Sequence, residues 1–200
     1  MPEVLDTLYA GGIRLAEITF DSTSRIPASE TAAQIHTASC RMENKMHIGA
    51  GTVLTAEQLH LTREAGGCFV ISPHTDISLI DKTKSMGLFS IPGAMTVSEI
   101  VAAHKAGADY IKVFPASALG PSFFTQVLSP LPHVRLLAVS GVKAEEIPSY
   151  LSAGAVGFGI GSAIANRKLC LAGELDTMCK NAAAYAAVCR NPVYCNEVDL

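Results

Sequence analysis

The sequence predicts an α/β protein of the (β/α)8 TIM-type barrel class, in which the first strand is not readable and seven βα strands are. Three observations lead there. Short apolar runs recur at a near-constant interval, helical segments with start signals lie between them, and those helices close on a repeated glycine phrase.

The runs are "LAEITF" (15–20), "HIGAGTV" (47–53), "CFVISP" (68–73), "LFSIPGA" (88–94), "YIKVFPA" (110–116), "RLLAVSG" (135–141) and "VGFGIGS" (156–162). Most begin about 21 residues apart, and each is rich in Ile, Val or Phe and ends in Gly, Pro or Ser. Unbroken apolar runs, rather than alternating ones, predict parallel strands covered on both faces. Between them, "TAEQLHLTREAG" offers Thr55 as an N-cap with Gln58 three residues on, and "TVSEIVAAHKAG" repeats the scheme with Thr96 and Glu99. Four helices finish in "YAGGIRL", "EAGGCFV", "KAGADYI" and "SAGAVGF", where a glycine serves as the left-handed stop before the next strand. Right-handed crossovers between such units close a barrel. A doubly wound open sheet is the alternative, weakened in its dinucleotide-binding form by the lack of G-x-G-x-x-G after the first run. Residues 2–11 already read as helix, so the opening strand of a barrel of eight is missing. The true start then lies upstream, the barrel is open, or another segment such as 191–200 fills the gap.

The 200 residues, 49% hydrophobic and 16% charged, suit a single domain over 1–200 with 191–200 as a C-terminal tail. A net charge of −3 argues against nucleic acid or an anionic membrane as partner. No apolar run approaches the ~18 residues of a membrane span, and "MPEVLDTLYAGG" has neither the basic nor the apolar region of a signal peptide. The six cysteines form no CxxC pair, so they read as reduced thiols of a cytoplasmic protein.

In a barrel, chemistry gathers where strands end. Two charges interrupt apolar strands there: Glu17 and Lys112. If both point inward they meet across the barrel. A desolvated lysine has a lowered pKa and is partly neutral and nucleophilic near pH 7. Its attack on a ketone gives a Schiff base, an electron sink for the adjacent carbon, and a nearby carboxylate shuttles the protons. The plainer reading is a buried ion pair that fills space, although such pairs stabilise poorly. The turns "VSGV" and "GIGSAI" end the last two runs in small residues whose backbone N–H groups suit a phosphate, with Ser162 adding a hydroxyl; tight packing is the alternative. Thr52 in "GAGTV" suits a substrate carboxylate or keto oxygen, or is a plain strand threonine. His74 reads as a surface residue. The histidines lack zinc-ligand spacing, so neither metal nor cofactor is expected.

Taken together, "AGGIRLAEITF", "IGAGTVLT", "FVISPHTD", "SIPGAMTVSEI", "GADYIKVFPAS" and "GIGSAI" resemble, in collinear order from about Leu8 to Ala163, the family of 2-keto-3-deoxy-6-phosphogluconate (KDPG) and 4-hydroxy-2-oxoglutarate (KHG) aldolases. The resemblance implies a class I aldolase with Lys112 as the Schiff-base lysine and Glu17 as general acid/base. It implies Thr52 near the pyruvyl carboxylate and Pro73 shaping the pocket. Gly141, Gly161 and Ser162 would surround the substrate phosphate, in a cytoplasmic homotrimer. Three positions depart from the pattern. The family's T-G-G-[VI] turn reads "VSGV", so Val139 loses a hydroxyl while Ser140, standing for a glycine, can restore a donor. Asp21 stands where many members carry a carboxylate-binding arginine, with Arg25 as a possible substitute. The expected substrate is a small keto acid, a 2-keto-3-deoxy-6-phospho sugar acid or 4-hydroxy-2-oxoglutarate, cleaved to pyruvate and an aldehyde. A catalytically impaired phosphate-binding barrel and an isomerase or synthase on the same fold are the alternatives.

Overall fold

A computed structural model describes residues 2–190; the segment 191–200, expected as a tail or filler strand, lies outside the described residues. In chain order the elements are α1 (Pro2–Ala10), β1 (Leu15–Thr19), α2 (Ala28–Arg41), β2 (His47–Gly51), α3 (Ala56–Glu64), β3 (Phe69–Ile71), α4 (Ile77–Ser85), β4 (Phe89–Ile91), β5 (Gly93–Ala94), α5 (Val97–Lys105), β6 (Ile111–Val113), α6 (Ala116–Leu119), α7 (Pro121–Leu128), β7 (Leu136–Val139), α8 (Ile147–Ser152), β8 (Gly157–Gly159), α9 (Arg167–Ala172) and α10 (Leu175–Cys189). Each of the seven apolar runs contains strand. The run 88–94 yields two, because Pro92 has no N–H to give the ladder and separates β4 from β5.

Helix ends follow the local chemistry. Thr55 with Gln58, and Thr96 with Glu99, each form a reciprocal capping box at the starts of α3 and α5. Gly12, Gly66, Gly107 and Gly154, the four repeated stops, have φ of 93°, 82°, 88° and 95°. A side chain there would strain the turn, which is why the phrase recurs with glycine.

The chain forms two compact units. Among the described residues, one runs from Arg14 to Phe114; the other comprises residues 3–13 with 115–190. In the first, β1, β2, β3 and β4 lie side by side in sequence order, all parallel, and β5 pairs in parallel with β6. Its core includes Ile48, Ala50, Val53, Leu59, Val70, Ile100, Ile111 and Val113. At the starting ends of β4 and β6, Asp109 ties strand to helix. Its carboxylate accepts from the Lys84 ammonium at 2.6 and 2.7 Å and from the Ser90 N–H at 2.8 Å, while its own N–H donates to the Ser90 carbonyl at 3.0 Å. A half-exposed pair of this kind contributes about 1 kcal/mol.

In the second unit, β7 and β8 pair in parallel, with Val139 opposite Gly159. Tyr150 packs edge-on against Phe124 at 5.4 Å and Phe158 at 6.3 Å, and its hydroxyl donates to the Ala116 carbonyl at 3.1 Å. Buried Met178 and Ala182 seat α10, and a Cβ on Gly11 would stand only 2.5 Å from that of Ala182.

Candidate active site

Lys112 occupies the middle of β6, between Ile111 and Val113, which are 1% and 0% exposed. Strand alternation turns it to the opposite face from these two. Its N–H donates to the Pro92 carbonyl at 2.9 Å, which fixes the backbone beneath the amine. The side chain is half-buried, and Nζ stands 4.6 Å from the centre of the Phe114 ring. Glu17 projects from β1 in the same unit. A Cβ on Gly51 would lie 2.6 Å from its Oε2 and 2.9 Å from its Oε1, so the carboxylate fills the space that the missing side chain leaves over β2.

The two groups feel each other's charge, and burial outweighs that coupling in both. Burial pushes the Lys112 ammonium below the ordinary lysine range, with the Glu17 charge partly restoring it. Burial pushes the Glu17 carboxyl above its ordinary range, with Lys112 partly offsetting it. Glu17 is reached by solvent along β1, yet protein crowds its carboxylate closely enough for desolvation to dominate. Each shift favours the neutral form. A neutral amine is a nucleophile, and a carboxyl shifted toward neutrality can both give and take a proton.

Thr52 and Pro73 follow β2 and β3 in this unit. Thr52 has φ 54°, an uncommon left-handed backbone for a β-branched residue and a mark of local strain. The Val53 N–H donates to the Ile71 carbonyl at 3.2 Å, and the buried Ser72 hydroxyl donates to the Val53 carbonyl at 2.9 Å, locking that turn to β3. The Pro73 backbone presses on Gly93 where no Cβ would fit, and the Thr75 hydroxyl donates to the Gly93 carbonyl at 2.9 Å. His74 is exposed.

Ser140, Gly141, Gly161 and Ser162 belong to the other unit. Ser140 and Gly141, just after β7, have φ of 79° and 73°. The Ser140 carbonyl accepts from the Ser117 N–H at 3.2 Å, and the Ser117 hydroxyl lies directly against the Cα of Gly141. Gly161 and Ser162 are exposed beyond β8; the Gly161 carbonyl accepts from the Ile164 and Ala165 N–H groups, each at 3.0 Å. Both turns present small residues to solvent, which leaves backbone and hydroxyl groups accessible to an anion.

Two further residues matter that the sequence reading did not assign, Gly51 and Phe114, and Asp21 has a role in the structure beyond its departure from the family pattern. Gly51 makes room for the Glu17 carboxylate, and Phe114 lies under the amine. Asp21 organises the loop after β1: its carboxylate accepts from the Thr23 N–H at 2.9 Å, the Thr23 hydroxyl at 2.7 Å, the Arg25 N–H at 2.9 Å and the Ile26 N–H at 3.1 Å. These bonds, the Thr23 hydroxyl first, hold its carboxyl below the ordinary range. The "DSTS" stretch carried that signal, since Asp bonds its own backbone two residues on. The Arg25 side chain is exposed. Among the described residues no cluster of three or more His, Cys, Asp or Glu is arranged to hold a metal ion, and no helix is long and apolar enough to cross a membrane.

A family model described as KDPG and KHG aldolase matches residues 1–181. The chain belongs to the KDPG and KHG aldolase family. It is 33% identical over 92% of its length to a Rhizobium meliloti protein named a probable 2-dehydro-3-deoxy-6-phosphogalactonate aldolase, covering 85% of that protein. It is 32% identical over 90% of its length to the 2-dehydro-3-deoxy-phosphogluconate aldolase of Pseudoalteromonas atlantica, covering 82% of it. Among solved structures, a KDPG aldolase from Legionella pneumophila, holding pyruvate as a covalent carbinolamine, matches with a TM-score of 0.81 at 26% identity, over 92% of this chain and 86% of that one. This chain is therefore an aldolase-family α/β protein with the parallel strands of the family's TIM-barrel structures.

Proposed function

We propose that the chain is a class I aldolase that cleaves a 2-keto-3-deoxy-6-phospho sugar acid to pyruvate and glyceraldehyde 3-phosphate. The observation that carries this is Lys112: a strand-borne amine, lowered by burial and coupled to Glu17, in a member of this family. In this reading the Lys112 amine adds to the 2-keto carbon and water leaves, giving a cationic iminium. The bond between C3 and C4 then breaks as the C4 hydroxyl loses its proton, its electrons pass to the iminium as an enamine, and the aldehyde departs; protonation at C3 and addition of water to the iminium then release pyruvate and the free amine. Glu17 moves the protons. Thr52 binds the pyruvyl carboxylate and Pro73 shapes its surroundings, while Ser140, Gly141, Gly161 and Ser162 bind the phosphate. Relatives named for the phosphogalactonate and for the phosphogluconate compound both support a phosphorylated substrate over 4-hydroxy-2-oxoglutarate.

The same reading takes the chain as one cytoplasmic (β/α)8 barrel domain, whose family first strand is not among the seven readable runs, and as a homotrimer. Exposed Ile77, Met95 and Val97 supply apolar surface for self-association, which light scattering of the purified protein tests. The decisive experiment on function is borohydride reduction in the presence of pyruvate. A stable adduct on Lys112, lost in Lys112→Ala together with turnover of the two phosphorylated epimers, is expected. No adduct would favour a barrel that binds its ligand without cleaving it, and full turnover by Lys112→Ala would favour an isomerase or synthase.

A further inference from the structure

Phe114 is a large apolar residue left 37% exposed at the end of β6, where burying it would have been favourable. Two residues past Lys112, it shares that residue's face of the strand. Both are held by the ladder to β5 and its approach: the Lys112 N–H donates to the Pro92 carbonyl at 2.9 Å and the Phe114 N–H to the Ala94 carbonyl at 3.1 Å. With both backbones fixed in this way, Nζ stands 4.6 Å from the ring centre. At that distance the negative face of the ring attracts a cation.

We propose that the Phe114 ring is a positioning residue that holds positive charge on the Lys112 nitrogen, first as ammonium and then as the iminium formed with a 2-keto acid. This rests on the Schiff-base reading above. The conversion is balanced: ammonium plus ketone gives iminium plus water, with one positive charge on each side. Burial and the ring thus oppose each other. Burial lets the amine lose its proton and attack; the ring keeps the resulting imine protonated, and only a protonated imine is a strong electron sink. Glu17 on β1 is the charged group that Lys112 feels, and it acts in the same direction as the ring.

The consequence is a specific pH signature. Below the amine's midpoint both free enzyme and iminium carry the charge, so removing the ring cancels. Above it only the iminium does. Phe114→Leu keeps apolar bulk and removes the aromatic face; Phe114→Tyr keeps the face. In lysine-labelled protein followed by NMR, Phe114→Leu should lower the Lys112 midpoint by about 0.4 to 1.5 pH units, and Phe114→Tyr should leave it near that of the wild type. Pyruvate adduct formation should weaken in Phe114→Leu by about two- to thirtyfold above the midpoint and remain unchanged below it. An unshifted midpoint in Phe114→Leu, an equal fall in Phe114→Tyr, or a loss of adduct that does not vary with pH would overturn the proposal. A wild type that forms no adduct, yet shows the aromatic-dependent midpoint, would overturn the Schiff-base reading and leave the ring's hold on the ammonium standing.

Discussion

Replacing Gly51 by alanine would put a methyl group where Glu17 keeps its carboxylate. The new Cβ would stand 2.6 Å from Oε2, 2.7 Å from Cδ and 2.9 Å from Oε1, whereas ordinary contact begins at 3.4 Å. The carboxylate must therefore retreat by about 0.8 Å, the difference between 3.4 and 2.6 Å. A catalytic group displaced by about 1 Å costs on the order of a hundredfold in rate, or roughly 2.7 kcal/mol in the barrier. Stability should hardly change, because the Glu17 side chain is reached by solvent and can shift, and alanine orders the unfolded chain slightly better than glycine. Steady-state pyruvate release from a phosphorylated substrate reads the rate, and a denaturant melt reads the fold. The double variant Gly51→Ala/Glu17→Gln separates the mechanism from general damage. If Gly51 acts through Glu17, the alanine should cost nothing further once the carboxylate is gone. A single variant that keeps kcat within threefold of the wild type would refute the reasoning, as would full additivity in the double variant.

Ser140→Gly should stabilise the protein by about 0.5–1 kcal/mol, since a left-handed L-residue costs about 1–2 kcal/mol and glycine's extra freedom in the unfolded chain returns part of that; a lower denaturation midpoint would contradict this. The Glu17 carboxyl sits above its ordinary pKa of 4.5, so the folded state binds its proton more tightly than the unfolded state. Its contribution to stability is therefore present at low pH and lost as pH rises through that raised value. Glu17→Gln should accordingly be more stable than wild type at pH 7, with the gain shrinking as pH falls toward 4.5; a gain that grows on acidification would reverse the sign. Asp21→Ala should speed hydrogen exchange at the amides of Thr23, Arg25 and Ile26, which donate to its carboxylate, while the amides of β1 stay protected. Equal acceleration in β1 would mean that Asp21 supports more than its own loop.

Much of the fold was legible because its signals are local. Capping boxes at Thr55 and Thr96 and the glycine stops at Gly12, Gly66, Gly107 and Gly154 each depend on a few neighbouring residues. The break at Pro92 was less so: a proline inside an apolar run reads equally as a strand end or an interruption, and only the pairing of Gly93 with Lys112 decides. Lys112 and Glu17 stood out as charges in apolar strands. Gly51 did not, because its role depends on which neighbour leans over it. Phe114 was hidden for a similar reason, since an aromatic at a strand end looks like core until its exposure is known. Ser140 shows the opposite failure. A serine gives no hint of a left-handed backbone; that conformation comes from the turn between β7 and the carbonyl contact with Ser117.

The tether at Asp109 bears on how this protein can change. It anchors the strand carrying Lys112 from its starting end, three residues upstream of the amine, through Lys84 and Ser90. A strand of three residues is thereby clamped at its start by side chains, while at its other end the Phe114 N–H, donating to the Ala94 carbonyl, holds it through backbone alone. Substitutions at Phe114 or Ser117 can alter what the amine meets without loosening its mount. A library randomised at those two positions should retain a much larger folded fraction than one randomised at Lys84 and Asp109. What the amine meets is thus free to change while Lys112 stays in register.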